Sequence, residues 1–131
     1  MNDLVFADDL LERIRASGAP YHDRAYLFVL ATIEYLQSGL DVRRHVTAAE
    51  LSWACRDFAQ EQYGLMAQSV LEHWGVGRTD DVGRIVYILV EAGLLVTQPG
   101  DRESDFSAVY DFHEAFSGSY RWPGLARQQR G

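Results

Sequence analysis

The chain contains no lysine, so each of its twelve fixed cations is an arginine. It has one cysteine, Cys55, which excludes an internal disulfide. It has only three prolines and no apolar run of about 18 residues, the length a membrane-spanning helix needs. Asp8, Asp9 and Glu12 interrupt the first apolar stretch, so nothing near the start reads as a secretion signal. These absences point to a reducing cytoplasm and to no membrane partner. Catalytic and metal signatures are lacking too. The histidines at 22, 45, 73 and 113 have no His or Cys partner at ligand spacing. No nucleophile–base pair is legible, and Gly75-Val-Gly77 lacks the strand before it that a phosphate loop requires. The sequence therefore predicts no cofactor, no bound metal and no enzyme.

What is present is an ordinary globular composition. Of 131 residues, 47% are hydrophobic and 24% charged, enough for a core without staples. The net charge of −7 is unevenly spread. The last 14 residues carry Arg121, Arg127 and Arg130 and no acid, which leaves the preceding 117 at −10. A body of that sign repels nucleic-acid backbones at long range. The reading is a single helical domain over 1–117 and a mobile or docking tail over 118–131.

Periodicity supplies the elements. Ala7, Leu10, Leu11 and Ile14 fall on one face of an amphipathic helix over 4–17. Segment 22–38 has two apolar stripes, Tyr26/Val29/Ile33 and Phe28/Ala31/Tyr35, as a helix covered on both sides would. Residues 42–46 read as a short extended piece. Thr47 and Glu50 then form a capping box opening a helix with Leu51, Ala54, Cys55, Phe58 and Gln62 on one side. Met66, Val70 and Trp74 define a shorter helix. Thr79 reads as the N-cap of a helix over 80–92, with Val82, Ile85, Val86 and Leu89 inward. Leu94 to Thr97 and Phe106 to Phe112 then read as two strands of a β-hairpin at about 94–112. The expected fold is mainly α (α+β): a helical domain with a C-terminal hairpin. Two architectures stay open, a winged-helix-like domain and a plain helical bundle with an appended hairpin.

Three stretches carry a resemblance: His45-Val-Thr-Ala-Ala-Glu-Leu51, the run from Trp74 through Tyr87, and Asp105-Phe-Ser-Ala-Val-Tyr-Asp-Phe112. They resemble a family of small proteins found mainly in Planctomycetes and Verrucomicrobia, over roughly residues 4–116. That family has no assigned activity, so the resemblance implies no catalytic or binding residue.

Two residue sets remain as candidate sites. Trp53 projects away from the Leu51–Phe58 stripe, among Arg56, Asp57 and Gln60. With Arg84 and Tyr87 on the outer stripe of helix 80–92, Trp53, Arg56 and Gln60 make a candidate partner-binding set, because Trp and Arg are enriched in interface cores. Packing of the N-terminal helix or the tail over Trp53 explains the same pattern. Arg43, Arg44 and His45 precede a helix start and form a candidate anion-binding set, although a solvated edge paired with nearby acids explains the same cluster better. The functional expectation is a non-catalytic protein-interaction module, homodimeric if the broad apolar arc of helix 80–92 self-associates. The alternative is a winged-helix-like nucleic-acid-associated regulator. The acidic surface and the net charge of −2 over Asp101 to Asp105 weigh against it.

Overall fold

The computed structural model describes residues 9, 11–16, 18 and 20–117. The candidate tail, 118–131, and the start of the expected N-terminal helix lie outside the described residues. Residues 11–16 are helical and deliver Ile14 to the core. Five helices follow: α1 (Asp23–Ser38), α2 (Ala48–Tyr63), α3 (Ala67–His73), α4 (Thr79–Glu91) and the single turn α5 (Phe112–Ala115). Two 3-10 turns, Gly64–Met66 and Glu103–Phe106, link them.

The two-faced reading of α1 matches its packing in part, since Ala31 of the second stripe is exposed. Tyr26 and Val29 enter the main core, while Phe28 and Tyr35 lie against Phe58 of α2, with ring centroids 5.5 and 4.8 Å apart. The start of α1 is capped by His22, whose ring accepts the Arg24 amide, a cap outside the usual set of small polar residues. The capping box at Thr47 and Glu50 forms as expected. In α3 the inward residues are Ala67 and Leu71; Met66 is exposed, because the 3-10 turn rotates it outward.

α4 buries Val82, Ile85, Val86 and Leu89. It begins one residue earlier than the pattern suggests. Arg78 holds the N-cap position without a side-chain bond, and Thr79 is fully buried and used elsewhere. At its end Gly93 takes a positive φ of 84°, which a side chain would strain. Its amide and that of Leu94 reach back to the carbonyls of Val90 and Leu89, closing the helix and turning the chain away.

The expected β-hairpin is absent: no strand occurs among the described residues. The winged-helix arrangement fails with it, since neither the piece at 43–47 nor the segment at 95–98 joins a ladder. The cause is visible at residues 106–109. The Thr79 hydroxyl donates to the Phe106 carbonyl at 2.7 Å and accepts the Val109 amide at 3.0 Å. The Asp80 carboxylate takes the Ala108 amide. Ala108 sits at φ 53°, a left-handed conformation that no strand tolerates. Side chains of the α4 N-terminus thus take the backbone groups that a second strand would have spent on a ladder. Residues 103–116 form a strap instead, crossing the start of α4 and running over α2.

Under this strap α2 is buried on every side from Leu51 through Arg56. One polar atom is stranded there: the Ser52 hydroxyl is buried without a hydrogen-bond partner. An orphaned buried hydroxyl costs about 1–3 kcal/mol. Ser52→Ala is expected to stabilise the protein by about 1 kcal/mol, read as a higher midpoint in urea denaturation.

Candidate functional site

The strap decides the position of the Trp53 set. Trp53 is only 4% exposed. The Tyr110 ring lies 4.4 Å from its ring, and the Arg56 guanidinium stands 5.0 Å over its face. Arg56 is itself buried, donating to Asp57 at 2.7 Å and to the Ala115 carbonyl at 3.1 Å, where it closes the end of α5. Burial raises the Asp57 carboxyl above its ordinary value, and the Arg56 contact opposes that shift. The Tyr110 hydroxyl donates to the Ser52 carbonyl, and burial pushes its pKa well up. Trp53 and Arg56 therefore hold the strap on α2 and offer no open face. Gln60 is half-buried on α2, and Arg84 is exposed on α4, apart from them. Cys55 is enclosed beside Thr32, and burial lifts its thiol to about 12, which keeps it unreactive.

Tyr87 goes elsewhere, to a groove of about 370 Å³ that also holds Arg43, Arg44 and His45. One wall is the irregular stretch 43–47 with Ala48, the first residue of α2. The other is 94–98 after α4, with Asp101, Arg102 and Asp105 at its rim, and Phe106 and Leu51 lie at the base. The geometry thus joins one member of the first candidate set to all three of the second. Spacing could not show this, because the two walls are about fifty residues apart and are brought together by the packing of α4 against α1 and α2.

The cations of this groove are already matched. Arg43 pairs with Glu34 at 2.9 Å, and Arg44 pairs with Glu50 at 2.9 and 3.1 Å. His45 lies 3.4 Å from Asp101, and Arg102 lies 3.8 Å from Asp105. The Arg44 guanidinium lowers the Glu50 carboxyl below its ordinary value of 4.5, and the Thr47 amide adds to the shift. A carboxylate depressed on folding stabilises the fold above its unfolded pKa and loses that contribution as pH falls through the folded one. Glu50→Gln is therefore expected to flatten the decline of stability below pH 4.5, measured by urea denaturation at stepped pH.

The backbone of the walls has the opposite character. The amides of His45, Val46, Leu95, Val96 and Thr97 donate to no protein group among the described residues. The side chains of Val42 and Val96, in and beside the walls, are 74% and 88% exposed. A stretch with open amides, exposed β-branched side chains and a facing wall can pair with an extended chain.

No family model, curated protein or solved structure matches the chain. The site is therefore read from its own chemistry. Among the described residues no three metal-ligating side chains converge. Fold also brings the His22 and His73 rings to 6.3 Å, a pair that spacing left invisible. No helix of the described chain is long and apolar enough to cross a membrane. The groove wall at 94–98 escaped the sequence reading because its apolar run looked like a strand already paired to its neighbour. The loss of helical period after Gly93 was its only signal.

Proposed function

We propose that this protein is an interaction module that captures an extended peptide segment in the groove between residues 43–48 and 94–98. The observation that carries the reading is that the amides of Leu95, Val96 and Thr97 donate to no protein group among the described residues, in a stretch that lines the cleft opposite residues 43–48. Extended ligands gain affinity from main-chain hydrogen bonds, and alternate side chains supply selectivity. Phe106, Leu51 and Leu95 give the groove an apolar base for one such side chain, and exposed Val96 meets the next.

Nothing at the groove favours the nucleic-acid alternative. Arg43 and Arg44 are each spent on a carboxylate, so neither is free for a phosphate. The broad apolar arc of α4, the motive for self-association, is partly consumed within the chain by the turn Glu103–Phe106.

The test is a selection of displayed random heptapeptides against the full chain. Selected peptides are expected to bind Thr97→Ala as they bind the parent. They are expected to lose about fivefold on Thr97→Pro, which removes one amide donor worth roughly 1 kcal/mol. Equal binding to all three proteins would defeat the reading.

A further inference from the structure

A second cavity, of about 460 Å³, lies between helical residues 11–16 and the outer face of α4. Its charged lining is Arg13, Arg84 and Glu91, and Ile14 and Ile88 are in its apolar lining. The chain has nineteen acids for twelve arginines, so every arginine has a surplus of carboxylates to choose from. Among the described residues only Arg24 and Arg84 make no ion pair, and of these two Arg84 lines the cavity. The cause is local. A helical arginine ordinarily meets an acid three or four positions away. The positions before Arg84 hold Asp81 and Asp80, and both are committed elsewhere. Asp81 accepts the Tyr21 hydroxyl at 2.7 Å with one oxygen and the Gly77 amide at 2.9 Å with the other. Asp80 accepts the Ala108 amide at 3.3 Å and stands 3.7 Å from Arg78. Glu91 follows seven residues later, about 10 Å along the same stripe of α4, with Ile88 between them. Its exposed carboxylate has no ion pair among the described residues. Arg13 comes from the opposite side. Its Nη2 donates to the Ala92 carbonyl at 3.1 Å, which holds the guanidinium over the end of α4, and its Nε stands 4.0 Å from Asp9.

On these grounds we propose that this cavity binds a small zwitterion, an α-amino acid with an apolar side chain. Arg84 takes the carboxylate, which its planar fork bridges with two hydrogen bonds, and Arg13 adds a second positive charge beside it. Glu91 takes the ammonium group, and the apolar side chain lies on Ile14 and Ile88. A plain anion would meet Glu91 as a like charge, and a plain cation would meet two arginines. Only a ligand that carries both charges and an apolar group satisfies the whole lining. The cavity shares no residue with the peptide groove, so its test leaves that reading untouched.

The experiment titrates the isotope-labelled full chain with three probes and follows the Arg84 Nε–H signal and the backbone amides of 84–92 by NMR. The probes are L-leucine, N-acetyl-L-leucine, which lacks the ammonium group, and L-leucinamide, which lacks the carboxylate. Leucine is expected to bind about fivefold tighter than either derivative, the upper effect of one exposed charge pair. Arg84→Gln should bring leucine down toward the level of leucinamide, and Glu91→Gln toward that of N-acetyl-leucine. Both side chains are exposed, so each variant should keep the fold, which its own spectrum reports. If N-acetyl-leucine binds the parent as tightly as leucine, Glu91 does not read an ammonium group and the proposal falls. If leucinamide does so, Arg84 does not read a carboxylate and the proposal falls equally. Shifts confined to other parts of the surface, or none at millimolar leucine, would also overturn it.

Discussion

Trp53→Ala is expected to cost about 3–5 kcal/mol of folding stability, the range for removing a large buried aromatic. The indole is enclosed on one side by α2 and on the other by Tyr110 and the Arg56 guanidinium. Its loss opens a cavity beneath the strap and frees Arg56 from a face that helps to hold it against the Ala115 carbonyl. Natural domains are stable by only about 5–15 kcal/mol, so the variant should be partly unfolded near physiological temperature. Equilibrium denaturation with guanidinium measures this directly. An exposed partner anchor would behave differently: its truncation would leave the denaturation midpoint near that of the parent. A midpoint unchanged by Trp53→Ala would show that the strap does not bury this residue in solution.

The second large effect lies at Gly83. Glycine inside a helix is normally improved by alanine, by about 1 kcal/mol. Here the sign is expected to reverse. A methyl group at position 83 would lie 2.6 Å from the Phe106 Cβ and 2.7 Å from its Cγ. The Cβ is not the free end of a flexible side chain, so only movement of the strap backbone relieves the contact. That backbone is pinned nearby by the two Thr79 hydrogen bonds. Overpacking of a fixed contact typically costs about 1–3 kcal/mol, and the net loss for Gly83→Ala is expected near 2 kcal/mol. For a domain of this size that lowers the melting temperature by several degrees. A variant that melts at or above the parent would mean that Phe106 does not sit on α4.

These effects show which parts of the fold were legible in the sequence. Period identified α1, α2 and α4, because each buries a stripe that repeats at helical spacing, whereas the N-cap read at Thr79 for α4 was one residue out. The Thr47 and Glu50 box marks the start of α2 to the residue. The strap was not legible, because its conformation is dictated by side chains distant in sequence. Phe106 to Phe112 carries strand-forming residues, yet Thr79 and Asp80, almost thirty positions earlier, hold its amides. Local propensity cannot register that competition. The same cause hides the role of Trp53: its polar helical neighbours suggest an exposed face, and the cover comes from Tyr110.

The groove was half legible. Arg43, Arg44 and His45 stood out as a cationic cluster, but their partners Glu34, Glu50 and Asp101 became visible only in three dimensions. Pairing turns a candidate anion site into a neutralised wall. The useful feature of that wall is its backbone, which a sequence shows only as a stretch without helical period.

Amide hydrogen exchange at Leu95, Val96 and Thr97, with and without a peptide taken from the heptapeptide selection, tests this account most directly. All three amides are expected to exchange rapidly in the free protein, and alternate ones to slow markedly when the peptide binds, since only every second amide of a strand faces a given neighbour. A peptide that binds tightly while these amides keep exchanging at their free rates, with protection arising elsewhere on the surface, would contradict it.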